Sequence, residues 1–461
     1  MRLGSRLTIG LLSVLVAVGL GAPAEAVDPA PTTLRLTATA AYADASSLLR
    51  VDLVDQAGKP VAGAVVTLVR RTTGATVATL TTDDAGHAER RLRARRSPAD
   101  NRFDASYAGD GVTYGPSKGV VSIPLKRRAS TVVVSGPGRV VDEQRVPVRI
   151  RWTTSNRQPV AGTVRVDRAL GGGRWKRFAT VHTDSDGRAQ VVSAPRSDSR
   201  WRATGVGQAW VSGDRSGVHR VDNLPPGRRV GLPAKAPRPR RKLPAQGHAV
   251  GAGPNVAVTA IPGGTWSQMT GRTWHRGCPV GRAQLRLVRV NYWDYTGYRR
   301  RGELVANADA AGAMGAALAE MYRHKLPIRG MYRVDRFGYS RRSHGGNDYA
   351  SMAAGNTSAF NCRDVTGRPG VRSPHSYGRS LDVNTWENPY RSARGLVPNT
   401  WWQHHSHPRV AWRSRSHPVV RIMARHGLRW TYGLGDTQHF DYVGSRARAA
   451  VQPMRCDRYC D

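Results

Sequence analysis

The sequence predicts a multidomain chain, with two all-β sandwiches followed by an α+β domain. Three observations carry that expectation. The 461 residues exceed what one ordinary core organises, so two to four domains are expected. The first half alternates apolar and polar residues with period two, and it repeats itself at an offset of about a hundred residues. From Gly263 onward the composition changes: tryptophans cluster and helical spacing appears.

Residues 1–26 read as a secretory signal. Arg2 and Arg6 form its basic start, 7–21 its apolar stretch, and Ala24-Glu25-Ala26 a small-x-small cleavage site. That stretch is shorter than the roughly 20 residues a membrane span needs. No second apolar run of that length follows, so a secreted protein without stable membrane insertion is expected.

Residues 27–126 form the first expected sandwich, with strand patterns such as Leu34-Arg35-Leu36-Thr37 and Leu49-Arg50-Val51-Asp52-Leu53. Residues 127–222 form the second. Pro60-Val61-Ala62-Gly63 recurs as Pro159-Val160-Ala161-Gly162, and Asp83-Asp84-Ala85-Gly86 as Asp184-Ser185-Asp186-Gly187, with Phe103 and Trp201 in step. A repeat of that length is one sandwich, duplicated. Each copy resembles the immunoglobulin-like modules of bacterial surface proteins. The Asp-rich turns need no calcium, because turn aspartates accept backbone hydrogen bonds.

Residues 223–262 interleave Pro225, Pro226, Pro233, Pro237, Pro239 and Pro244 with Arg228, Arg229, Lys235, Arg238, Arg240, Arg241 and Lys242. Proline denies regular structure and like charges repel, so an extended, semi-rigid spacer is expected. In residues 263–450, Leu285-Arg286-Leu287-Val288-Arg289-Val290 reads as a strand. Residues 306–324 read as a helix, with Ala310, Met314, Ala317, Leu318 and Met321 on its core face. A second helix is expected over 417–426, closed by Gly427. Residues 451–461 form a tail. All four cysteines lie in this C-terminal part, where export favours disulfides over thiolate metal sites. Of three pairings, Cys278–Cys362 with Cys456–Cys460 is favoured: the first pair flanks segments of one domain, the second closes a short loop.

The chemistry concentrates in Ser373-Pro374-His375-Ser376-Tyr377-Gly378-Arg379-Ser380-Leu381-Asp382 and Asp436-Thr437-Gln438-His439-Phe440. Two imidazoles and a carboxylate, with a second carboxylate nearby, match a catalytic zinc site: three protein ligands, an open position for water, and a base. His375, Asp382 and His439 are the expected ligands of one zinc per chain, and Asp436 the general base. His375 and Asp382 are too far apart for one helical face, so the chain must turn at Gly378. The three-residue spacing places Asp436 and His439 side by side on one turn. Asp441 is a candidate to orient an imidazole. His404-His405-Ser406-His407 reads as a surface loop: adjacent side chains diverge and no carboxylate is near. Gly-x-Ser-x-Gly is absent around Ser373, which excludes a serine-hydrolase elbow there.

These motifs resemble the D-alanyl-D-alanine carboxypeptidase and dipeptidase family of zinc peptidases, with its Ser-x-His-x-x-Gly-x-x-x-Asp segment and later acidic-x-x-His. Gly302-Glu303-Leu304-Val305-Ala306-Asn307, Met331-Tyr332-Arg333-Val334-Asp335, Ser351-Met352, Asn356-Thr357-Ser358-Ala359-Phe360-Asn361-Cys362-Arg363 and Glu387-Asn388-Pro389-Tyr390 are similar to its secreted bacterial branch. The resemblance covers roughly residues 275–445. It implies a small antiparallel sheet of the lysostaphin and hedgehog type carrying the metal. It also implies an arginine at the substrate carbonyl, with Arg363 first and Arg333 second. Ser373 and Tyr377 would bind substrate or shape the turn. Family members often carry Glu where Asp436 stands.

The formal charge of +39 attracts polyanions. No nucleic-acid-binding motif is visible, and export argues against nucleic acid. Peptidoglycan and anionic wall polymers are the expected partners, although a GC-rich composition also accounts for much of the arginine. The expected activity is D-Ala-D-Ala carboxypeptidase action on peptidoglycan stem peptides. The alternatives are an endopeptidase of L-Ala–D-Glu type and a non-catalytic wall-binding adhesin.

Overall fold

The computed structural model describes residues 28–449 apart from 242, 245, 366 and 394. The signal segment, Cys456 and Cys460 lie outside the described residues. The chain is mostly β, with small, chiefly antiparallel sheets and few helices among the described residues.

The N-terminal half holds two units, each made of two sheets around its own apolar cluster. In the first, Thr32–Ala38, Ser46–Asp55 and His87–Arg93 form one sheet; Thr76–Thr81, Val65–Arg70, Arg102–Tyr107 and Ser117–Ser122 form the other. Period-two alternation sends Leu49, Val51 and Leu53 inward to meet Val66, Leu68 and Phe103, while Arg50 faces solvent. In the second, Ser130–Ser135, Val146–Thr154 and Arg188–Ser193 face a larger sheet built on Gly162–Leu170 and Ser199–Gly205. Val148, Ile150, Trp152 and Trp201 fill its core. The two copies share details below the level of strands. Val54 bridges Pro60 as Thr153 bridges Pro159. Asp83 Oδ1 accepts from the Ala85 and His87 amides, and Asp184 Oδ1 from those of Asp186 and Arg188. The turn carboxylates therefore do the backbone work expected of them.

The proline- and arginine-rich segment is irregular, as expected, but it is not a free spacer. The Trp386 indole donates to Pro237 O at 2.7 Å, the Val230 amide to Tyr295 O at 2.9 Å, and Gln246 Oε1 accepts from the Met331 amide at 2.9 Å. Ala236 is buried with Trp386 and Trp402. Proline removes donors yet leaves carbonyls and apolar rings, and these bind the C-terminal unit. The segment ends in strand Ala257–Ala260, which pairs with Leu285–Trp293.

In the C-terminal unit, Leu285–Trp293 and Arg299–Asn307 form a hairpin backed by helix Ala308–Arg323. Ala310, Met314, Ala317, Leu318 and Met321 are all buried, as their spacing predicts. The helix starts at Ala308 because residues up to Asn307 remain in the strand. Helix Pro418–Arg425 packs on the same core, and Gly427 follows at φ 73°. A second sheet, Ser380–Asp382, His439–Tyr442 and Leu428–Arg429, lies against that core through Leu381 and Phe440. Cys278 and Cys362 are joined by a disulfide, with Cα atoms 5.9 Å apart.

Candidate metal centre

Two local devices aim His375 and Asp382 at one point. Ser373 caps a 3-10 turn, Pro374–Tyr377, with Pro374 pre-set at its first position. The chain then reverses at Gly378, whose φ of 70° is left-handed. A Cβ there would stand 2.7 Å from the Asn307 amide nitrogen, so backbone conformation and space both require glycine. Strand Ser380–Asp382 follows, and antiparallel pairing sets Asp382 directly opposite His439. Opposed residues on one sheet face bring their side chains into contact. The sheet register therefore builds the second half of the site.

His375 Nε2 lies 3.2 Å from His439 Nδ1 and 3.3 Å from Asp382 Oδ2, and His439 Nδ1 lies 3.3 Å from Asp382 Oδ1. All three residues are buried. The outer ring nitrogens are already committed. His375 Nδ1–H donates to Ala359 O at 2.7 Å, and His439 Nε2–H to Asp441 Oδ1 at 2.9 Å. Those bonds turn both inner nitrogens toward each other and toward a carboxylate. Such a cluster is repulsive unless a cation sits among its donors. Tetrahedral zinc with ligands at 2.0–2.1 Å requires donors about 3.3 Å apart, which the observed separations match. The donor set fits zinc.

Charge is arranged to the same end. Burial opposes ionisation of Asp382, but His375 and His439 outweigh it and hold the carboxyl well below the usual range. Asp441 behaves likewise: His439 overcomes its burial, helped by the Ser380 and Thr431 hydroxyls, each 2.6 Å away. Asp441 thus orients His439, as expected from its position.

The remaining expected residues separate. Asp436 is buried but does not share a turn with His439. It follows the 3-10 turn Gly433–Gly435 in extended backbone and bridges Tyr390, while His439 opens a strand. A three-residue spacing suits a helix and an extended chain alike, and here sheet pairing decides. Arg363 is tied to the turn that carries His375: its amide donates to Ser376 Oγ, and its carbonyl accepts from that hydroxyl and from the Ser373 amide. Its buried guanidinium pairs with Asp348 at 2.9 Å. Arg333 instead sits in an acidic cage, 2.8 Å from Glu303 and 3.0 Å from Asp335, with Gln268 on its third side. Ser373 is fully buried, whereas Tyr377 is 45% exposed.

Two contributors were not read from the sequence. The Ala359 carbonyl fixes the His375 tautomer, and a backbone group carries no residue signature. Gln438, next to His439, donates to Asp382 Oδ2 at 3.3 Å. The other His and Cys grouping among the described residues, His275 with Cys278 and Cys362, offers no thiolates because both cysteines are in the disulfide. His405 stacks on Trp401 at 3.6 Å, and His407 bridges Ala411; neither joins the centre.

A family model described as D-alanyl-D-alanine carboxypeptidase matches residues 366–442, a stretch that holds His375, Asp382, Asp436 and His439. No curated protein matches the chain. Among solved structures, a sulfur carrier protein SoxY from Chlorobium limicola f thiosulfatophilum is similar at 15% identity and a TM-score of 0.16, over 21% of this chain and 80% of that one. A Salmonella alpha-2-macroglobulin mutant is similar at 12% and 0.20, over 57% and 18%. A tetra-tandem repeat from the extending region of a large adhesion protein is similar at 12% and 0.28, over 60% and 64%. These scores are too low to carry an argument about fold or function.

Proposed function

We propose that this chain is a secreted zinc peptidase that trims peptidoglycan stem peptides, removing the last residue of a D-alanyl-D-alanine end. The observation that carries the reading is the buried convergence of His375, Asp382 and His439 within the carboxypeptidase-like stretch. These three residues would hold a zinc ion, which when bound would supply Lewis acidity and lower the pKa of water. The chain's own residues do the rest. Ala359 and Asp441 hold the outer N–H groups of His375 and His439, so each imidazole turns its other nitrogen toward the centre. Asp436 takes the proton from water and returns it to the departing amine. Arg363 offers its cation to the charge developing on the carbonyl oxygen, with Asp348 fixing the guanidinium. Arg333 stays in its acidic cage, and Ser373 shapes the turn. Exposed Tyr377 is left to meet substrate.

The signal-like residues 1–26 and the cationic charge support a wall-associated, extracellular setting. No helix among the described residues is long and apolar enough to cross a membrane. Digesting purified peptidoglycan and weighing the products tests the reading. Loss of terminal alanine is expected. A cut inside the stem would replace it with the endopeptidase alternative, and absence of any product from zinc-loaded protein would leave the wall-binding adhesin.

A further inference from the structure

The internal repeat supplies its own control for charge. In the first unit, Ser46–Asp55 pairs with His87–Arg93 so that Arg50 faces Glu89 and Asp52 faces His87. Arg50 forms an ion pair with Glu89 at 2.6 Å, and the His87 ring hydrogen-bonds Asp52. Arg35 stands across from Asp52 on the third strand. The same face of the second unit has equivalent positions. Arg151 precedes Thr153 as Asp52 precedes Val54, and Arg188 follows Gly187 as His87 follows Gly86. There Arg149 faces Gln190, Arg151 faces Arg188, and Val133 takes the place across from Arg151. Both acids are gone, and two arginines oppose each other directly.

Like charges directly opposed across a ladder destabilise a sheet. Arg149, Arg151 and Arg188 are all exposed, and no carboxylate partner of any of the three occurs among the described residues. Asp184 lies beside them, but its Oδ1 is committed to the turn amides of Asp186 and Arg188. A shallow cavity of about 500 Å³ opens here, where Arg149, Arg151, Arg188 and Asp184 share the lining with apolar Ile150 and Ala189. The second unit thus lacks both carboxylates of the first unit's Arg50–Glu89 and Asp52–His87 pairs, and its face has a hollow in it.

We propose that this face of the second unit binds a linear phosphodiester polymer built on a polyol, laid across Arg149, Arg151 and Arg188. Arginine forks match phosphate oxygens bidentately, and a chain of spaced phosphates relieves the Arg151–Arg188 opposition. The cavity lining carries no aromatic ring, so it lacks the stacking platform that single-stranded nucleic acid uses. The inference is independent of the peptidase centre.

The test measures binding of full-length protein to polyglycerol phosphate across a salt series. Arg151→Asp with Arg188→His copies the first unit's complementary pair. It is expected to fold with an unchanged or raised Tm, bind about tenfold more weakly near 0.15 M salt, and show a salt slope shallower by about two. Arg102→His with Lys118→Asp removes the same charge from the first unit and is expected to change binding less than twofold. Should the double variant fail to fold, Arg188→Gln alone is expected to weaken binding severalfold. Equal loss in both charge-matched variants would overturn the proposal, because the whole-molecule field would then suffice. Binding of base-bearing single-stranded DNA or of polyglutamate as tightly as the polyol phosphate, with the same loss in Arg151→Asp/Arg188→His, would overturn the assigned ligand.

Discussion

Asp436 and His439 sit three residues apart, and the account gives them different work. His439 shares one point with His375 and Asp382, whereas Asp436 lies on separate extended backbone. Asp436→Ala should therefore retain zinc and lose about 10² to 10⁴ in turnover, the usual cost of removing a general base. His439→Ala should lose metal and activity together; zinc content measured beside kcat separates the two outcomes. Asp441 acts through His439. Asp441→Asn keeps the shape but weakens the hold on the Nε2 proton, and metal affinity should fall about 10- to 100-fold by chelator competition. At this scale the grouping of His375, Asp382 and His439 was legible because imidazole and carboxylate are distinctive donors. The Ala359 carbonyl was not, since every residue carries one.

Among elements, the turn between His375 and Asp382 is the one on which the site most depends. Gly378→Ala forces a side chain into left-handed backbone, about 1–2 kcal/mol by itself, and against the Asn307 amide. Thermal unfolding should show at least that loss, and zinc should bind more weakly as the two ligands lose their shared aim. This turn could be read from sequence because a reversal between two ligands needs a residue free to adopt positive φ. The helix Ala308–Arg323 was legible for a similar reason: its apolar residues recur with the helical period. The stretch from Asp436 to His439 was misread, because its spacing leaves helix and strand undecided. Pairing with Ser380–Asp382, distant in sequence, makes the choice.

Over the whole molecule, residues 223–262 are the main departure from expectation. Proline content correctly excluded regular structure over most of the segment, but it said nothing of the carbonyls and Ala236 that dock on the C-terminal unit. Trp386→Ala removes the donor to Pro237 and part of the covering apolar surface. Trypsin should then cut among the exposed Arg228, Arg229, Arg240 and Arg241 several times faster than in the unsubstituted protein, followed by gel and mass analysis. Equal rates would mean that the segment is held by its other contacts alone. The duplicated β units were legible because each residue of a two-sheet core repeats a period-two pattern, and the copies keep their turn signatures.

The central claim is that three lone pairs converge on a zinc ion. Elemental analysis of protein purified without added metal, run beside His375→Ala and His439→Ala, tests it most directly. The account predicts one zinc per chain in the unsubstituted protein and little in either variant, with peptidase activity lost on chelation and restored by zinc. Active protein that carries no metal, or zinc retained at full stoichiometry in both variants, would contradict it.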